Sequence, residues 1–282
     1  MRTRKILLAV VGFILFILFM MPFVLVVINS AKGRAEISLN PISLPTNWGQ
    51  MFTNIRDVIQ NPNFSYWSAF LDSVIITVIS LSLIIVCAAM GAWVLVRNKK
   101  WWSSFIFMAF VAAMVVPFQV VMLPLVQWLR MMGNFFKIPL IGTYQGILFC
   151  YLGFGASLSI FVFHGFIKSV PLELEEAADI DGCTRQGVFF RIVLPLLQPT
   201  AVTVLILNGI WIWNDYLLPL LVLGPSGKVQ TLPLAVASFA GAYVKQWERI
   251  LTSALLAMLP IIILFLFAQR YIIKGMVEGS IK

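Results

Sequence analysis

The stretch KSVPLELEEAADIDGCTRQGVFFRIVLPLLQP, residues 168–199, carries Glu173, Glu175, Glu176, Asp179 and Asp181, five of the eleven acidic residues, between two uncharged runs, 138–167 and 192–214. Read locally, it is two short helices. Pro171 has the fixed φ that suits a first helical position, and Glu173, Glu175 and Glu176 follow where the positive end of the helix dipole favours carboxylates. Gly182 permits a left-handed stop. Thr184 can cap a second helix, to which Val188, Phe189 and Ile192 bring apolar contacts. Pro195 and Pro199 are expected to end that helix and lead into the next apolar run. Each flanking run is near or above the roughly 20 residues that cross hydrocarbon as a helix. A polar hairpin between two such runs reads as a loop on one side of a bilayer, joining two transmembrane helices.

The rest of the chain agrees. Its 282 residues are 61% hydrophobic and 11% charged, with a mean hydropathy of +0.97. A soluble core of this size would still need a charged shell, whereas here the charges gather in short clusters between uncharged runs. Those runs give six expected spans, at about 6–28, 70–96, 102–129, 143–167, 200–223 and 250–271, in one membrane domain covering 1–282. Pro22, Pro117, Pro124 and Pro260 fall inside uncharged runs, where kinks are tolerable if neighbouring helices or cavity water satisfy the freed carbonyls. The first run follows Arg2, Arg4 and Lys5, but it is long for a cleaved signal peptide and no A-x-A site follows, so it is expected to remain as a span. Counted by loop, twelve basic residues fall on the side that holds the N-terminus and eight on the other. Both termini are therefore expected in the cytoplasm, a bias cleanest at the tight loop of Arg97, Lys99 and Lys100.

The formal charge of +9 follows from this bias rather than from nucleic-acid binding, since no basic cluster alternates with aromatics on a polar helix. Cys87, Cys150 and Cys183 have no ligand-like spacing. In the outer connection 31–69, Trp48, Phe52, Ile55 and Ile59 recur at helical spacing, as in an amphipathic helix lying at the outer interface. Gly224-Pro225-Ser226-Gly227-Lys228 looks like a phosphate loop only superficially: its first glycine is misplaced, and Val229 stands where Ser or Thr would hold magnesium.

Within the hairpin, Glu176-Ala177-Ala178, three residues, Gly182, nine residues, Ile192, one residue and Leu194-Pro195 match E-A-A-x3-G-x9-I-x-L-P at every fixed position. The sequence here resembles the permeases of binding-protein-dependent ABC importers, whose hallmark is this cytoplasmic loop. The resemblance implies an all-α integral membrane fold, a six-transmembrane-helix type I importer permease. Its coupling helix would dock on a separate ATPase through Glu176, Ala177, Ala178, Asp181, Gly182, Ile192, Leu194 and Pro195. It also implies that the chain binds no cofactor, with ATP and Mg on the partner ATPase subunits.

Weaker motifs narrow the branch. Pro117-Phe118-Gln119-Val120-Val121-Met122-Leu123-Pro124, Trp213-Asn214-Asp215-Tyr216-Leu217, and Gln269-Arg270-Tyr271 with Gly275 are similar to carbohydrate-uptake permeases related to the maltose system, in particular its six-span subunit. Asp215-Tyr216 departs from the more usual Glu-Phe, and Met276-Val277-Glu278-Gly279 from Leu-Thr-Ala-Gly. A sugar needs hydroxyl partners and a flat apolar surface. Asn208, Trp211 and Asp215 stand at i, i+3 and i+7 and form one stripe expected to face the bundle interior; Asn214, Tyr216 and Gln119 complete the candidate pathway. Asp215 has two readings, a pathway group or a carboxylate satisfied by a structural partner or outer water. Gln119, Gln127 and Tyr151 are weaker candidates, since a glutamine near Pro117 or Pro124 can simply satisfy kinked carbonyls, and His164 reads as a boundary residue.

The expected function is one half of the pathway of a carbohydrate importer, its substrate an oligosaccharide, in a bacterial inner membrane. Its expected partners are a homologous second permease, two ATPase subunits, an extracytoplasmic sugar-binding protein and membrane lipid, with no nucleic acid. The alternative is a proton- or sodium-coupled secondary transporter using Asp215. Against it stand the absence of a visible internal repeat and of paired broken helices. No nucleophile, base and orienter set appears.

Overall fold

The computed structural model describes the backbone of residues 2–61, 65–225, 227–240 and 245–280, and side chains within these except at 2, 3, 264 and 267–280. Among the described residues the chain is helical, with one isolated antiparallel bridge, Ala240 to Lys245. In order the helices are α1 (Arg2–Ser30), α2 (Arg34–Leu39), α3 (Gln50–Ile59), α4 (Tyr66–Arg97), α5 (Trp101–Ala113), α6 (Phe118–Phe136), α7 (Tyr144–Ile167), α8 (Glu173–Ile180) and α9 (Arg185–Val188). A π-helical turn, Phe189–Val193, follows, then α10 (Leu194–Leu196), α11 (Gln198–Asn214), α12 (Leu217–Val222), α13 (Leu232–Ala237) and α14 (Trp247–Ser280).

Among the described residues three helices, α1, α4 and α7, are unbroken and long and apolar enough to cross a membrane; counting each of two bent pairs as one span gives five. α14 covers the expected sixth span as backbone, with Pro260 inside it. The side chains of Gln269, Arg270 and Tyr271, and the tail beyond them, lie outside the described residues.

Within the third expected span the proline acts otherwise than expected. Pro117 does not kink a continuous helix; it separates two. α5 and α6 meet at 107°, and Pro117, at φ −63° and ψ 135°, is the extended N-cap of α6. A proline also disfavours helical geometry in the residue before it, so the chain turns where a kink was expected. α5 alone, 13 residues, reaches about 20 Å at 1.5 Å per residue, short of a hydrocarbon core of about 30 Å. Pro124, by contrast, is carried inside α6.

The chain forms two compact units, Met1–Ala69 with Leu232–Pro260, and Phe70–Thr231 with Ile261–Lys282. In the first, α1 stands almost bare: its apolar window is 6% buried by the protein. Only its C-terminal end is tied in. The orphan carbonyls there are met by side chains: Asn54 Nδ2 of α3 donates to Ser30 O at 2.8 Å and Lys32 O at 3.0 Å, and Thr252 Oγ1 of α14 to Ser30 O at 3.4 Å. Lys32 is fully buried, its ammonium donating to Asn29 Oδ1, Asn40 O and Pro41 O at 3.1, 2.8 and 3.3 Å, three acceptors for three N–H groups. The amphipathic helix expected in this connection exists as α3, but its buried face is Asn54 and Val58, leaving Trp48 and Phe52 exposed.

In the second unit α7 is the axis. Half of its apolar window is buried. Lipid supplies no hydrophobic drive between helices, so close approach of small residues and interhelical hydrogen bonds take its place. Gly155 shows this: a Cβ there would meet Ile84 Cδ1 of α4 at 2.5 Å and Asn208 Oδ1 of α11 at 3.0 Å. His164 is buried with its ring stacked on Phe107 of α5, centroids 3.7 Å apart. At the other end of α7, Asp72 of α4 accepts the Tyr144 hydroxyl on one oxygen and the Gln230 N–H, at 2.9 Å, on the other, joining the chain before α13 to α4 and α7.

Candidate functional site

The 168–199 hairpin folds for the reasons its sequence suggests. α8 begins with Glu173, Glu175 and Glu176 in its first turn. It stops at Gly182, which has φ +80°. The Gly182 N–H donates to Asp179 O at 3.1 Å and the Cys183 N–H to Ala178 O at 2.9 Å, the paired bonds that close a helix through a left-handed residue. Thr184 then caps α9, its hydroxyl accepting the Gly187 N–H at 3.2 Å.

Pro195 behaves otherwise than expected. It does not end the second helix. α9 runs through the π-helical turn into α10, with the Leu194 N–H reaching five residues back to Phe189 O. A π turn widens the helix where proline has no N–H to give and crowds the preceding turn. The break comes at Leu197, where the axis bends by 75° into α11, and Pro199 sits in α11's first turn.

Of the residues that match the loop pattern, Glu176, Ala177, Asp181, Gly182 and Pro195 are exposed, Ile192 and Leu194 are half-buried, and Ala178 is buried. Beside the exposed set stands Ile180, 86% exposed. One edge of the hairpin therefore offers small, acidic and apolar groups together, while Ala178 and Glu175 turn inward.

Glu175 was not separable by sequence from its two neighbouring glutamates, since the dipole argument serves all three. In the structure it is 3% exposed. Its Oε2 accepts the Trp93 indole N–H at 2.9 Å; its Oε1 accepts Arg97 Nε at 2.9 Å and lies 2.8 Å from Arg97 Nη2. Trp93 and Arg97 are four residues apart on α4, hence on one face. That spacing was the available signal. Asp72 was missed likewise, a single carboxylate in the second turn of a span.

The stripe on α11 makes its contacts with α7, closed at Asn208 and partly open at Trp211. Asn208 is 2% exposed and donates to Ser159 Oγ and Val204 O, both at 3.0 Å. Trp211 meets Tyr151 edge to face at 5.4 Å. Asp215 accepts the Tyr151 hydroxyl at 3.2 Å and the backbone N–H groups of Leu217 and Leu218 at 3.0 and 3.3 Å, and so caps α12. Tyr151 itself is fully buried. Asp215 thus has bonding partners within the chain, Tyr151 and the start of α12. Asn214, bonded to Ile210 O at 2.8 Å, and Gln119, in the first turn of α6, are exposed, as are Tyr216 and Trp211 in part.

Comparison with known proteins adds to this geometry. The family described as binding-protein-dependent transport system inner membrane component matches residues 83–278. The chain is 40% identical, over all of its length and 98% of the relative's, to the probable starch degradation products transport system permease protein AmyC of Thermoanaerobacterium thermosulfurigenes. It is 32% identical, over all of its length and 97% of the relative's, to the melibiose/raffinose/stachyose import permease protein MelC of Bacillus subtilis. Among solved structures, a bacterial ABC transporter involved in the import of the acidic polysaccharide alginate has a chain that superposes with a TM-score of 0.77, covering 96% of both chains at 20% identity, a likeness of fold.

Proposed function

Because the chain belongs to the binding-protein-dependent transport system inner membrane components, we propose that it is the permease subunit of an ATP-driven importer of an oligosaccharide. In this reading it forms half of the pathway beside a homologous second permease. An extracytoplasmic sugar-binding protein delivers the substrate, and two ATPase subunits, which hold ATP and Mg, supply the energy. The carrying observation is the family match over 83–278, which takes in the whole hairpin. The sugar class is supported by AmyC and MelC, named for starch degradation products and for melibiose, raffinose and stachyose. Family membership sets aside the ion-coupled secondary transporter.

The chain is a multi-pass protein of the inner membrane. Six spans with both termini cytoplasmic would bring the hairpin to the ATPases. There Glu176, Ala177, Asp181 and Gly182 form the docking face, small enough at Ala177 for close approach and with carboxylates to accept basic or backbone donors. Ile192, Leu194 and Pro195 join that face to α11. ATPase closure pulls the hairpin, and α7 and α11, continuous with its ends, follow as rigid elements. Asn208, Trp211, Asn214, Asp215, Tyr216 and Gln119 line or shape the pathway, with the exposed aromatic faces of Trp211 and Tyr216 suited to a sugar ring.

A cysteine at Ala177, on a background lacking Cys87, Cys150 and Cys183, should cross-link to the ATPase in native inner-membrane vesicles. A thiol there that never reaches a nucleotide-hydrolysing neighbour would sink this reading.

A further inference from the structure

α8 presents its first-turn carboxylates in two directions. Glu173 and Glu176 are exposed, whereas Glu175 is buried with both oxygens engaged by α4. The contact does not end with that carboxylate. Arg97 Nη2 also donates to Val170 O at 2.9 Å, in the link between α7 and α8. On the other arm of the hairpin, Phe189, 1% exposed, packs its ring against Trp93 with centroids 5.5 Å apart. The last turns of α4 thus hold the entry to the hairpin, its first arm and its second arm at once.

We propose that Glu175, Arg97 and Trp93 form a bracket that makes α4 a third helix driven by the hairpin. α7 and α11 follow the hairpin because the chain is continuous. α4 is separated from it by more than seventy residues of sequence, and beyond its packing on α7 and α11 this bracket is what joins it to the hairpin itself. The chemistry suits a part that must transmit force without slipping. A guanidinium fork and an indole N–H fix a carboxylate in direction as well as distance, and opening the pair would leave the buried Glu175 carboxylate without its countercharge. Glu175 and its partners are positioning residues, and the bracket stays closed through the cycle. The proposal rests on the reading that an ATPase grips the hairpin.

The test uses the complete importer with its ATPase. Spin labels at Val94→Cys, exposed on α4, and Gln186→Cys, exposed on α9, report the distance between α4 and the hairpin on a background free of native cysteines. The expected result is the same distance in the nucleotide-free and the vanadate-trapped complex. With Glu175→Gln the distance should shift between the two states by about 2 Å or more, the scale of helix movement in such transitions. Arg97→Lys, which keeps the charge but not the fork, should fall between. A fold support alone would lower the melting temperature without creating this nucleotide dependence. If Glu175→Gln does not assemble, Trp93→Phe removes the N–H, keeps an aromatic ring against Phe189, and should produce a smaller shift of the same kind. The proposal is overturned if the wild-type distance changes with nucleotide, or if the variant that assembles behaves as wild type. Loss of the Ala177 cross-link would instead overturn the motor reading, and the bracket with it.

Discussion

Around Gly182 there is open space: nothing lies within 4 Å of where a Cβ would stand, yet its φ is +80°. A side chain there is opposed by the backbone and not by its neighbours. Gly182→Val should therefore cost about 1–2 kcal/mol, the penalty for a left-handed L residue. Gly182→Asn should cost less, because asparagine visits that region more readily. Thermal melting of the assembled complex, with ATP-driven uptake measured alongside, would rank the two; equal losses would mean that size and not conformation is being read. Gly182 was legible from its place after a short acidic helix. Glu175 was not, because burial is a property of the partner face, and that face belongs to α4, far away in sequence. Asp72 follows the same rule. Its two acceptors come into use only once Tyr144 and Gln230 arrive from elsewhere in the chain.

Helices were more legible than their joints. Thr184 was identified as a cap from type and position alone, and Thr184→Ala should cost about 1 kcal/mol through the lost bond to the Gly187 N–H. The check is the same melting experiment, with Thr184→Ser expected to restore most of the loss. Prolines were harder. Pro22, Pro124 and Pro260 ride inside helices, Pro117 splits two at 107°, and Pro195 is absorbed by a π turn. Local chemistry is alike at all five: a missing donor and a crowded ring. What differs is whether the neighbours reward continuation or a turn, and single-sequence reasoning does not reach that. The α11 stripe teaches a similar lesson. Spacing put Asn208, Trp211 and Asp215 on one stripe, and each of them meets Ser159 or Tyr151 of α7, while Trp211 stays partly exposed.

At the scale of the whole chain, apolar runs and the hairpin motif were enough to indicate a helical membrane fold and its family. The distribution of Lys and Arg sets an expected orientation, which the native thiols can test. Cys183 is half-exposed in the hairpin, Cys150 is buried, and Cys87 lies exposed on α4 within an apolar stretch. A membrane-impermeant maleimide should label Cys183 in inside-out vesicles and leave it unmodified in right-side-out ones, while Cys87 and Cys150 stay unreactive in both. Labelling of Cys183 from the outside would reverse the topology.

The bareness of α1 has a practical bearing. A helix whose apolar window is 6% buried by protein takes its cover along most of its length from lipid tails or from another protein. Purified alone, the subunit would wear its surfactant like a sleeve. Its survival on a column would be governed by the micelle's alkyl length more than by buffer or salt.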